Sequence, residues 1–98
     1  MIARADNDGP KFPLGRLLAT PGALRALEES GESAATFFAR HAKGDWGEVC
    51  TEDRAENELA LEKGFRIMSV YRTGKGEKLW LITEQDRSSS TILTPTEY

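Results

Sequence analysis

The chain has 98 residues, 39% hydrophobic and 30% charged, with a net charge of −3 and one cysteine. That length suits one domain with a modest core, and the composition is globular rather than disordered. The acidic balance argues against non-specific nucleic-acid binding, which draws on surplus Lys and Arg, and a lone Cys50 excludes an internal disulfide. No apolar run approaches the roughly 20 residues of a membrane helix, and the polar start, MIARADNDGPKF, lacks a signal-peptide core. A cytoplasmic protein without membrane contact is the expectation.

Residues 1–11 mix charges with Asn7, Gly9 and Pro10 without periodicity, which predicts a flexible tail ahead of a single domain over residues 12–98. PLGRLLAT at 13–20 reads as a short strand, although Leu14, Leu17 and Leu18 do not alternate cleanly. Thr20-Pro21-Gly22 is a strong helix start, because Thr20 can cap free amides and Pro21 sits where a missing N–H matters least. The helix over 21–30 carries Leu24 and Leu27 at helical spacing, and Gly31 stops it.

Ser33 opens a second helix over 34–42, with Ala34, Phe37, Phe38 and His41 on one face. Gly44 ends it, and Asp45-Trp46-Gly47 forms a tight connector around a large aromatic. Thr51 is the expected cap of a third helix over 52–63, ended by Gly64, with Glu52 and Asp53 at the positive pole of its dipole. Ala55 and Leu59 mark its narrow apolar stripe; the remainder is solvated.

From Phe65 the pattern changes. FRIMSVYR and KLWLIT, separated by the glycine turn TGKGE, predict a hairpin, and STILT adds another strand that Pro95 ends. Ile67, Ser69 and Tyr71 face one way and Met68, Val70 and Arg72 the other, both sides partly apolar. The expected fold is α+β: a short N-terminal strand, three helices, then a three-stranded antiparallel meander with the helices on one face. The second face is then left for partial cover or a homodimer contact.

His41, the only histidine, has the one side chain whose ordinary pKa suits proton transfer near neutrality. On an apolar helix face, though, a histidine more often packs than reacts. One His and one Cys nine residues apart make no metal-ligand spacing, and the chain shows neither a phosphate-binding loop nor a nucleophile elbow, so no metal or cofactor is expected. Asp45, Glu48, Glu52, Asp53, Glu56, Glu58 and Glu62 gather acid that suits a basic partner or an ordinary solvated helix face. In EQDRSSS, Asp86, Arg87, Ser88, Ser89 and Ser90 either form a turn or clamp a phosphate or carboxylate through Arg87.

Several motifs carry a resemblance: LATPGAL at 18–24, His41, GDWG at 44–47, Asp53, Asn57, Trp80, ITE at 82–84, DRS at 86–88 and the closing Glu97-Tyr98. Across residues 12–98 they resemble a family of small proteins of bacterial mobile elements, labelled plasmid-related protein and in some members a type I restriction enzyme M subunit. The restriction label does not fit, because a methyltransferase subunit needs a cofactor-binding α/β domain and far more chain. The resemblance implies residence on plasmids or phages, where small proteins often serve as accessory or counter-defence factors.

Two functions follow as expectations. The first is non-enzymatic binding of a host protein, as a counter-defence inhibitor, through Asp45, Trp46, Glu52, Glu56, Trp80, Asp86, Arg87 and Ser88. A variant of it, built on the acidic surface around Glu52 and Glu56, mimics DNA. The second is a small metal-independent ribonuclease with His41 as base, Arg72 or Arg87 stabilising the phosphorane, and Ser89 or Thr91 positioning the phosphate. It requires His41 and Arg87 to converge on one cleft.

Overall fold

Two of the three helices begin where a side-chain hydroxyl gives a free backbone N–H a partner. In the computed structural model, which describes residues 9–98, α1 spans Pro21–Ser30, and the Thr20 hydroxyl accepts the Ala23 N–H at 3.2 Å. Helix α2, Ala34–Ala42, is capped by the Ser33 hydroxyl, which accepts the Ala35 N–H at 3.1 Å. Helix α3, Thr51–Lys63, departs from expectation by one residue: Thr51 is its first residue, and Cys50 occupies the cap without a side-chain bond. Gly31 and Gly64 end α1 and α3 in the left-handed conformation.

Four strands complete the described residues: β1 Arg16–Ala19, β2 Ile67–Arg72, β3 Lys78–Thr83 and β4 Ser89–Leu93. The α+β class and three helices agree with the sequence, but the sheet is mixed rather than purely antiparallel. Its order is β1-β4-β3-β2, with β2–β3 and β3–β4 antiparallel and β1 parallel to β4. The N-terminal strand is therefore an edge of the same sheet, with Arg16 opposite Ser89 and Ala19 opposite Ile92. Gly15 makes this pairing possible. Its φ is 68°, and a Cβ there would collide with the carbonyl oxygens of Arg87 and Ser88. The Arg16 N–H then donates to Ser88 O at 3.0 Å.

The inward sheet face packs Tyr71, Leu79, Leu81 and Ile92 against Ala23, Ala26, Leu27, Phe37 and Phe38. Burying each phenylalanine stabilises the fold by about 2–3 kcal/mol. Phe12, Trp46, Val49, Ala60 and Ile67 form an adjoining cluster. Two expected stripes are corrected. Helix α1 turns Ala23, Ala26 and Leu27 inward and leaves Leu24 54% exposed, because alanines let the helix approach the sheet closely. Helix α3 buries Asn57 and Ala60 rather than Ala55 and Leu59, since Asn57 is drawn to the β2 backbone.

Of the tail expected over 1–11, residues 1–8 lie outside the described part; the Lys11 N–H donates to Ala42 O at 2.7 Å. On the outward sheet face Trp80 meets Tyr98 edge-on, with ring centroids 5.4 Å apart. Tyr98 follows a 3-10 turn, Pro95–Glu97. Among the described residues no helix is long and apolar enough to cross a membrane.

Candidate functional site: a hydroxyl relay beneath His41

Helix α2 sets His41 above the middle of the sheet, in line with Phe37 and Phe38, and the ring is fully buried. Phe12 and Trp46 meet it edge-on, with centroids 5.2 and 5.8 Å away. Inward positions of the sheet supply hydroxyls at the same level. Nδ1 lies 2.6 Å from Ser69 Oγ on β2, and Nε2 lies 2.9 Å from Thr83 Oγ1 on β3. Thr83 Oγ1 lies 2.6 Å from Ser90 Oγ on β4, and Ser90 Oγ donates to Leu14 O at 2.8 Å.

The terminal carbonyl fixes the direction of every proton in this chain. Leu14 O can only accept, so it takes the single Ser90 proton. Thr83 must then donate to Ser90, His41 donates from Nε2 to Thr83, and Ser69 donates to Nδ1. The neutral imidazole fills this arrangement with one donor and one acceptor. Among the described residues no buried side-chain polar atom lacks a partner. Burial, reinforced by the Arg87 charge, depresses the His41 pKa from its ordinary 6.5 to about 3.

Arg87 sits above this relay in the turn between β3 and β4, with a positive φ of 61°. Its guanidinium turns back onto backbone carbonyls. Nη1 donates to Phe65 O at 2.7 Å and Glu84 O at 3.1 Å, and Nη2 donates to Ala60 O at 3.0 Å. A cation at the carbonyl end of α3 also meets the negative pole of that helix. Asp86 does not pair with Arg87. Its Oδ1 accepts the Ser88 N–H at 3.0 Å, and hydrogen bonding from Ser88 lowers its pKa.

The ribonuclease arrangement is not assembled. His41 is sealed and neutral, and the Arg87 guanidinium is engaged with main-chain oxygens. Arg72 lies opposite Lys78, at the far end of β3 from the Arg87 turn, about 17 Å along the strand. It holds Glu48 Oε1 at 3.1 Å. Ser89 faces outward, opposite Arg16, and Thr91 lies opposite Leu18 on the same outward side.

The remaining singled-out residues divide between frame and surface. Trp46 is 1% exposed, and its indole N–H donates to Glu58 at 2.9 Å. Asp45 pairs with Arg40 at 2.7 Å, which lowers its pKa, and its carbonyl accepts the Tyr71 hydroxyl. Glu52 and Glu56 are exposed on α3, and Trp80 is half-buried on the outward sheet face. Glu56 also lines a cavity of about 250 Å³, together with Asp53, Asn57, Arg66, Met68 and Ile82.

Comparison with protein-family models, curated proteins and solved structures found no match. The site therefore rests on its own geometry. Ser69, Thr83 and Ser90 were not singled out from the sequence as partners of His41. Their signal was parity: each stands at a core-facing strand position where an apolar residue is the rule. Asn57 and Glu97 are further residues whose tasks emerge only in three dimensions.

Proposed function

We propose that this chain is a non-enzymatic accessory protein of a mobile element that binds a host protein in the cytoplasm, as a counter-defence inhibitor. The setting rests on the resemblance carried by GDWG, DRS and the terminal Glu97-Tyr98. One observation supports the non-enzymatic reading: His41 has no exposed surface and both of its nitrogens are engaged. The groups left facing solvent are contact groups, namely Trp80 with Tyr98 on the sheet and Glu52 with Glu56 on α3. An aromatic patch beside acid suits a protein surface carrying Lys or Arg around an apolar centre.

The test is affinity capture from lysates of several bacterial hosts, followed by calorimetry with the purified partner. The reading expects one host protein retained by the wild type and lost by a folded Trp80→Ala, Glu52→Lys, Glu56→Lys variant. No specific partner in any host would contradict it. So would RNA cleavage or growth arrest abolished by His41→Gln, which would restore the ribonuclease reading.

A further inference from the structure

Among the described residues, strand β1 leaves one edge of the sheet open. The Arg16 N–H donates to Ser88 O, and the Thr20 N–H donates to Ile92 O at 3.0 Å, so even-numbered residues of this strand face β4. Alternation then turns the N–H and C=O groups of Leu17 and Ala19 to the free side, where no described residue bonds them. The adjoining side chains are apolar and open: Leu17 is 55% and Leu18 39% exposed. Natural edges are usually blunted by a charge, a proline, a bulge or a cover. Residues 16–19 carry only Arg16 for that purpose.

We propose that a second copy of this chain pairs antiparallel with β1, joining two four-stranded sheets into one of eight strands across a two-fold axis. Parity limits the register to odd-numbered residues facing odd-numbered residues, and of these only one engages both Leu17 and Ala19 of each copy. Continuity of the two faces requires inward residues to meet inward residues, and the outward-turned backbone groups belong to Leu17 and Ala19. Leu17 therefore pairs with Ala19 of the other copy, exchanging two hydrogen bonds, and the symmetric pair exchanges two more. Leu18 meets its own counterpart on the axis, on the outward face.

Charge complementarity supports this register and this partner. It sets Arg16 opposite Thr20 of the other copy. The Thr20 hydroxyl donates to the Glu97 carboxylate, which also accepts the Gly22 N–H at 2.9 Å. Each Arg16 guanidinium thus arrives beside the other copy's Glu97 carboxylate, an acid kept ionised by its hydrogen bonds, and the two-fold makes the contact twice. This interface differs from one on the Trp80 face, and it leaves that face and the acidic surface of α3 free for another protein.

The experiment combines sedimentation from micromolar to millimolar concentration with site-directed crosslinking in a Cys50→Ser background. The wild type is expected to show a monomer–dimer equilibrium. Leu17→Pro, which removes two of the four intermolecular bonds, is expected to raise the dissociation constant about tenfold or more. Arg16→Glu is expected to weaken the dimer as well and to reverse its dependence on salt. Leu18→Cys is expected to form an intermolecular disulfide, since facing residues of such a pair have Cα atoms about 4.5 Å apart, within disulfide reach. Leu17→Cys, two positions off its own counterpart, is expected not to. A monomer throughout would overturn the proposal, as would a dimer untouched by Leu17→Pro or a crosslink at position 17 in place of 18.

Discussion

Along β2 the outward backbone groups of Met68 and Val70 are taken up. The Val70 N–H donates to Trp46 O at 3.0 Å, and Val70 O accepts the Glu48 N–H. The Asn57 side chain serves Met68 as a neighbouring strand would. Its amide donates to Met68 O at 2.8 Å, and its carbonyl accepts the Met68 N–H at 3.2 Å. Along β1, by contrast, Leu17 and Ala19 meet nothing among the described residues, and two leucines stand exposed. The same sheet thus has one edge closed by its own helix and loop and one edge left able to pair. Closure on one side limits growth of the assembly to two copies, because an open edge on each side would allow a filament.

The closed edge breaks most readily at Gly47. Its φ is 73°, and a Cβ there would overlap Val70 O, so Gly47→Ala is expected to cost about 3 kcal/mol in urea unfolding. Asn57→Ala strips both partners from Met68 and is expected to cost about 2 kcal/mol. Met68 amide exchange should quicken in this variant, while Val70, still bonded to Trp46 and Glu48, keeps its protection.

The His41 relay joins the two sides of the comparison, running from Ser69 on β2 to Leu14 just before β1. Its pH dependence has a definite sign. The unfolded imidazole gains a proton below about pH 6.5, whereas the buried one stays neutral until about 3. Between those values the unfolded state binds more protons. The contribution is therefore complete above about pH 6.5 and fades as the pH falls, reaching on the order of 5 kcal/mol lost below about 3. Inside the window the slope approaches about 1.4 kcal/mol per pH unit. Urea midpoints at pH 6 and pH 5 are expected to differ accordingly, before most carboxylates titrate, and His41→Gln should flatten that difference.

The smallest effect is expected on the open edge. Leu17→Pro should change monomer stability by no more than about 0.5 kcal/mol, because the Leu17 amide has no partner among the described residues to lose. Denaturation of dilute samples checks it. The contrast with Gly47→Ala separates an edge that holds the fold from one that does not.

Local features were readable from the sequence because local rules produce them. Thr20-Pro21 and Ser33 start helices, Gly31 and Gly64 stop them, and Ile67, Ser69 and Tyr71 share the inward face of β2. The parallel pairing of β1 with β4 was not readable, since no periodicity links Leu18 to Thr91 across the whole domain. The surroundings of His41 needed strand register before Ser69 and Thr83 could be placed beside it. For Arg87 turn and anion clamp both stayed open, because composition cannot reveal that Ala60 and Phe65 aim their carbonyls at its guanidinium.

Amide hydrogen exchange across a dilution series tests the unequal edges most directly. The account predicts that Met68 and Val70 are protected at every concentration, whereas Leu17 and Ala19 gain protection only as the protein is concentrated. Protection of Leu17 and Ala19 that does not change on dilution, or their free exchange in the concentrated protein, would contradict it.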